Sequence, residues 1–334
     1  MRPSRSATSD TLVTMNNLLA GDIGGTKTLL RINTGQGAVQ KSYPSAEYSG
    51  LDNILDEFLC EAGASHVEAA CLALAGPVSG RKVRLTNLPW EVDADALAAR
   101  FNIARITLIN DFEAVGHGIA ALQSTDLLTL QAGVPVERGM RAVAGAGTGL
   151  GVALLSSAHG RYSVHPSEGG HVDFAPADAM QYELLRYLQQ RHGHVSYERI
   201  VSGPGLVAIY DFLRDCGKAT PSAHLVEAMQ AGDAAAAIAQ FSQQENETIA
   251  NMALDIFVSV YGAFVGNLAL TTLPRGGIYL AGGIAAKIPA AMQRGGFMHA
   301  FLNKGRYTGL LESLPLHIVT HPHVGLLGAG LVVQ

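Results

Sequence analysis

The sequence carries one glycine-rich loop design twice, each copy set between two apolar runs. The first is Gly21-Asp22-Ile23-Gly24-Gly25-Thr26, between Leu18-Leu19-Ala20 and Leu29-Leu30. The second is Gly145-Ala146-Gly147-Thr148-Gly149-Leu150-Gly151, between Ala142-Val143-Ala144 and Val152-Ala153-Leu154-Leu155. Apolar run, tight turn and apolar run predict a β-hairpin. Neither loop opens a helix, as the dinucleotide fingerprint and the Walker loop both require. Glycines let main-chain N–H groups approach phosphate oxygens closely, and Thr26 and Thr148 each add a hydroxyl donor. Two such hairpins suit the grip of one polyphosphate. Either alone also reads as an ordinary turn; the acid inside the first loop and the repeat in the second favour phosphate.

A chain of 334 residues has room for about two domains and a substantial core. Its net charge of −5 gives no electrostatic footprint for nucleic acid or an anionic membrane, so small-molecule partners are expected. Cys60, Cys71 and Cys216 are widely spaced and suggest neither a disulfide framework nor a cysteine zinc site, in keeping with a reducing, cytoplasmic setting. Residues 1–16 are polar, contain Arg2 and Arg5 and have no apolar core, so a disordered extension is expected rather than a secretory signal. The apolar stretch from Ile256 to Leu273 is broken by Gly262, Gly266 and Asn267 and is expected to be too short to span a bilayer.

Helical spacing is present over Leu51 to Ala62, and Cys71-Leu72-Ala73-Leu74-Ala75 reads as a buried strand. A polar turn, Val83-Arg84-Leu85-Thr86 and the loop Asn87-Leu88-Pro89-Trp90 follow. The strand Ile106-Thr107-Leu108-Ile109 ends in Asn110 and Asp111 and is followed by a helical stretch, which places both polar side chains at a strand's carboxyl end, where open α/β sheets bind ligands. The second hairpin begins a new sheet, as if the plan of the first half were reused. Further helices are expected over Ala179 to Gln190, after Ser202, over Ala223 to Glu245 and Glu247 to Thr271, and after His323. Strands are expected at Gly277 to Ala281 and Leu316 to Val319.

Phosphoryl transfer needs phosphate clamps, a metal and a group that deprotonates or orients the acceptor. Asp22 lies where a carboxylate can hold Mg²⁺ directly or through water; its alternative role is an Asx-turn acceptor. Asp111 is the candidate general base, and its alternative role is an N-cap for the following helix. Asn110, Asp111, Glu168, His171 and Glu198 form a set of donors and acceptors suited to a polyhydroxylated acceptor, a sugar being the economical inference. The alternatives are a polar turn for Glu168 and His171 and a solvated acid paired with Arg199 for Glu198. His192-Gly193-His194 and His321-Pro322-His323 lack the spacing of a common zinc pair and read as structural or surface histidines.

These residues resemble the bacterial glucokinases of the non-ROK type, within the actin/hexokinase superfamily. The matching strings are the two glycine loops, Thr86-Asn87-Leu88-Pro89-Trp90, Ile109-Asn110-Asp111-Phe112, the run from Glu168-Gly169-Gly170-His171 to Pro176, the run from Glu198-Arg199 to Leu206, and Ala281-Gly282-Gly283-Ile284. They occur in family order from about Leu18 to Gly330. The resemblance implies an α/β, two-domain ribonuclease H-like fold with a cleft. A small α/β domain would take residues 17–121 plus 316–334, and a larger α+β domain residues 122–315. It also implies phosphorylation of glucose at its 6-hydroxyl by ATP with Mg²⁺, in a homodimer. Asp111 would be the base, with Asn110, Glu168, His171 and Glu198 on the sugar. Gly21 to Thr26 and Gly147-Thr148-Gly149 would hold phosphates, and Gly282-Gly283 would flank the adenosine. Lys27 departs from the family's frequent Asn, which leaves its role between a phosphate contact and a solvent-facing cation. The related ROK kinases carry a zinc-binding cysteine cluster after the Glu-Gly-Gly-His-like motif, whereas Val172 to Tyr197 holds no cysteine, so no structural zinc is expected. Two other readings stay open on the residues alone: a sugar-responsive regulator and a phosphatase or acyl-phosphate enzyme on the same fold.

Overall fold

The computed structural model describes residues 17–35, 37–85, 87–243 and 247–334. The expected extension at 1–16 and Thr86 of the Thr86-Asn87-Leu88-Pro89-Trp90 string lie outside the described residues. The chain divides into two compact units, one of residues up to Ala121 plus His323–Gln334 and the other Leu122–Pro322.

Labels follow chain order. The first unit contains a five-stranded sheet of β1 (Leu18–Ile23), β2 (Lys27–Thr34), β3 (Gly37–Pro44), β4 (Ala69–Leu74) and β7 (Arg105–Asn110), in the order β3-β2-β1-β4-β7. Between β4 and β7 the chain makes a small ribbon, β5 (Lys82–Arg84) with β6 (Glu91–Asp93). The helices are α1 (Leu51–Glu61), α2 (Ala94–Phe101), α3 (Asp111–Ile119) and the C-terminal α13 (Val324–Val333). β1 and β2 form the expected antiparallel hairpin, and β4 and β7 run parallel to β1. Every residue of β4 is buried because both faces of the sheet are covered. Ala70, Leu72 and Leu74 join Phe58 of α1 and Trp90 in one core; the smaller Ala69, Cys71 and Ala73 face Leu326 and Ala329 of α13 in another. The small residues on that face let α13 lie close to the sheet. The guanidinium of Arg105 fastens its last turn by donating to the Val333 carbonyl at 2.9 Å.

The second unit contains a six-stranded sheet in the order β11-β10-β9-β12-β13-β8. Its strands are β8 (Leu127–Gln131), β9 (Arg141–Ala146), β10 (Leu150–Ala158), β11 (Arg161–Ser167), β12 (Gly277–Ala281) and β13 (Leu316–Val319). Its helices are α4 (Ala179–His192), α5 (Gly203–Asp215), α6 (Ala223–Ala231), α7 (Ala234–Phe241), α8 (Thr248–Thr272), α9 (Gly283–Lys287), α10 (Pro289–Gln293), α11 (Gly296–Leu302) and α12 (Thr308–Glu312). An antiparallel meander β9-β10-β11 followed outward by parallel β12 and β13 repeats the plan of β1-β2-β3 with β4 and β7; antiparallel β8 is added at the edge.

Three expectations need correction. The unit boundary falls at His323 rather than at residue 316, because Leu316–Val319 pairs with β12 and β8 as a strand of the second sheet. The helix expected over Ala223 to Glu245 is two helices: the chain breaks at Gly232, and the Asp233 carboxylate caps α7 by accepting from Ala236 N–H at 3.1 Å. The apolar stretch near Ile256 to Leu273 belongs to α8, whose 25 residues are long enough to cross a membrane. Burial rather than length marks α8 as a core helix: Phe257, Val258, Tyr261, Phe264 and Val265 are enclosed, and it packs on α5 and α11.

Candidate active site

In the first unit the polar residues gather at the ends of β1 and β7. The β1–β2 turn is closed by Gly24 N–H donating to the Lys27 carbonyl at 3.0 Å. Ser45 braces it from beneath: its N–H donates to Thr26 O at 3.1 Å and its hydroxyl to Gly24 O at 2.8 Å. Thr26 and Lys27 are exposed at the tip, whereas Asp22 is partly buried within β1. The Asp22 carboxyl packs on the first turn of α13, 2.9 Å from where a Cβ would stand at Gly325. Burial pushes this carboxyl up to about 6, against the opposing pull of the Lys27 ammonium.

Asn110 and Asp111 mark the junction of β7 and α3. Asn110 is the N-cap: its Oδ1 accepts from Phe112 N–H at 2.9 Å and Glu113 N–H at 3.1 Å, and its Nδ2 donates to Gly76 O at 2.9 Å. The capping role weighed for Asp111 therefore falls to its neighbour. Asp111 begins the helix, partly buried, with Oδ1 accepting from Phe112 N–H at 2.9 Å. A carboxylate at the first turn of a helix lies in the favourable field of the helix dipole.

In the second unit Glu168, His171 and Glu198 are brought together. Glu168 precedes a short 3-10 turn, Gly169–His171, and both ionisable side chains are exposed. The segment after this turn is zipped to the one carrying Glu198 by Phe174 N–H to Val195 O at 2.9 Å and Tyr197 N–H to Val172 O at 3.0 Å. Glu198 Oε1 lies 3.7 Å from His171 Nε2, and its Oε2 accepts from Leu150 N–H at 2.8 Å. The carboxylate thus has partners other than Arg199.

The second hairpin turn is closed by Gly147 N–H to Gly149 O at 2.8 Å. Gly282, with φ of 82°, ends β12 and sits against the end of β9, a Cβ there being 2.5 Å from Ala146 O. Beside the turn opens a cavity of about 480 Å³. Gly147, Thr148 and Gly283 stand on one part of its wall, and Pro204, Val207, Ala235, Ala239 and Ile284 supply apolar surface elsewhere. That combination accepts a flat apolar ring with a charged tail. The alanine run of α7 is legible in sequence only as helix; its place on the cavity wall comes from the break at Gly232.

Among the described residues no group of three or more His, Cys, Asp or Glu is arranged to hold a metal. His194 is instead hydrogen-bonded to Asp173, with Nε2 and Oδ1 2.7 Å apart.

The glucokinase family model matches residues 19–334. A glucokinase from Nostoc sp. (strain PCC 7120 / SAG 25.82 / UTEX 2576) is 45% identical, covering 95% of this chain and 98% of the relative. The crystal structure of glucokinase from Balamuthia mandrillaris in complex with glucose superimposes with a TM-score of 0.80 at 25% identity, covering 95% and 93% of the two chains. A ROK family glucokinase from Streptomyces griseus, in complex with glucose and AMPPNP, shares the fold at a TM-score of 0.64 and 17% identity, covering 95% and 98%. The repeated mixed sheets, the paired glycine hairpins and these likenesses define a sugar kinase of the actin/hexokinase-type fold. Within that class the match over nearly the whole chain is decisive. The chain belongs to the glucokinase family, and its activity is the ATP-dependent phosphorylation of glucose.

Proposed function

We propose that the chain transfers the γ-phosphoryl group of ATP to the 6-hydroxyl of glucose, with Asp111 as general base, giving glucose 6-phosphate and ADP. The observation that supports the nucleotide end of this reading is the cavity beside Gly147 and Thr148, which sets an apolar slot against a glycine turn in one unit. The base of ATP enters the slot between Val207, Ala235 and Ile284, and its phosphates run toward the turn. Gly21 to Thr26 supplies the second set of main-chain donors.

The Asp111 carboxylate, whose Oδ1 accepts from Phe112 N–H, takes the proton as the sugar oxygen forms its bond to the γ-phosphorus and the bond to the β,γ-bridging oxygen breaks. Such a base contributes about 10²- to 10⁴-fold. Asn110 has three of its bonds committed to the protein, so it positions Asp111 and offers the sugar at most its second amide hydrogen. Glu168, His171 and Glu198 take the remaining hydroxyls. Asp22 would hold the magnesium that accompanies ATP, directly or through water, and the ion would supply charge neutralisation at the phosphates. The family resemblance supports a homodimer acting in the cytoplasm. Glucose is distinguished from related hexoses and amino sugars by ADP release measured across glucose, mannose, fructose, galactose, glucosamine and N-acetylglucosamine; ADP release equal for all six would contradict the assignment.

A further inference from the structure

Glu198 divides its carboxylate between two tasks. Oε2 accepts from the N–H of Leu150, the residue that follows the second glycine turn, at 2.8 Å, while Oε1 faces His171 Nε2 at 3.7 Å. A Cβ at Gly149 would lie 2.5 Å from Oε2, so the carboxylate reaches the hairpin only across a glycine. The same segment holds the other side of the turn, where Gly203 N–H donates to Gly147 O at 2.8 Å. Between these two contacts Ser202 Oγ donates to Glu198 O at 2.7 Å and accepts from Gly205 N–H at 3.0 Å. Residues 198–203 therefore pin both sides of the turn. The side chain of Glu198 keeps 29% of its surface exposed, enough for Oε1 to receive a hydroxyl.

We infer that Glu198 is a positioning residue for ATP as well as a sugar ligand, one carboxylate that couples the glucose site to the phosphate-binding hairpin. This rests on the assignments proposed above for Glu198 and for the turn at Gly147. A sugar hydroxyl donating to Oε1 fixes the carboxylate, and the fixed Oε2 holds Leu150 N–H and the turn before it in the conformation that receives phosphate. Coupling of this kind is reciprocal: glucose tightens nucleotide, and nucleotide tightens glucose by the same factor.

The test is calorimetric binding of AMPPNP with Mg²⁺, and separately of glucose, to the parent, Glu198→Gln and Glu198→Ala proteins. Glutamine keeps an oxygen for Leu150 N–H; alanine keeps none. In glucose-free protein Glu198→Ala is expected to bind AMPPNP about 3- to 10-fold more weakly, the loss of one charge-assisted hydrogen bond, and Glu198→Gln within about twofold of the parent. Both variants lose glucose affinity, and the tightening of AMPPNP by saturating glucose disappears in Glu198→Ala. AMPPNP affinity unchanged in Glu198→Ala, with glucose affinity lost, overturns the inference and leaves the sugar assignment standing. Glucose affinity unchanged in both variants overturns the sugar assignment and the coupling with it, even where AMPPNP binding falls.

Discussion

A Cβ placed on Gly170 would stand 1.9 Å from the carbonyl oxygen of Leu150. The turn that carries Glu168 and His171 therefore lies directly on the backbone of the second glycine hairpin, a contact that tolerates no side chain. Gly170→Ala must displace main chain on one side, at a cost of about 1–3 kcal/mol for overpacking. The expected readings are a lower denaturation midpoint and a glucose KM raised by about tenfold, since His171 moves with the turn. An unchanged midpoint and KM would show that the turn is free to slide.

In the proposed reading the nucleotide base packs on the part of the cavity wall that α7 forms beside Thr148. Ala235→Phe puts a ring into that space. It is expected to raise the KM for ATP by about tenfold or more while the dissociation constant for glucose stays within about twofold. A glucose constant that rises in parallel would place the substitution in the wrong site.

One pH effect is visible outside the site. Asp215, at the end of α5, accepts from Tyr187 OH at 2.6 Å, Arg214 Nε at 2.9 Å and Arg191 Nη2 at 3.0 Å, bonds that hold its carboxyl down to about 2. A carboxyl whose folded value lies below its unfolded value of about 3.9 stabilises the protein above that pH and loses the contribution as pH falls toward 2. Asp215→Asn should therefore melt slightly below the parent at pH 6, with the gap closing as the pH is lowered from 5 to 3. A gap constant across that range would assign the bonds no part in stability.

The hairpins were legible because a glycine turn between two apolar runs leaves few other structures, and the equivalence of the two sheets followed from that repeat. The strand-end placement of Asn110 and Asp111 was legible for the same reason. Their division of labour was not: either side chain can cap a helix, and only the backbone geometry at Phe112 and Glu113 gives the cap to Asn110. Ser45 and Leu150 left no sequence signal, one because its brace spans twenty-one residues to Gly24, the other because its contribution is a main-chain N–H. The boundary at His323 was missed because Leu316–Val319 reads as a strand without saying which sheet receives it.

The assignment of Asp111 as base is the central claim, and Asp111→Asn tests it most directly when kcat and the glucose dissociation constant are measured on the same preparation. Asparagine retains an oxygen for Phe112 N–H but cannot accept the proton, so kcat is expected to fall by about 10²- to 10⁴-fold with glucose affinity nearly unchanged. A kcat within about threefold of the parent, or equal losses in kcat and glucose affinity, would contradict it.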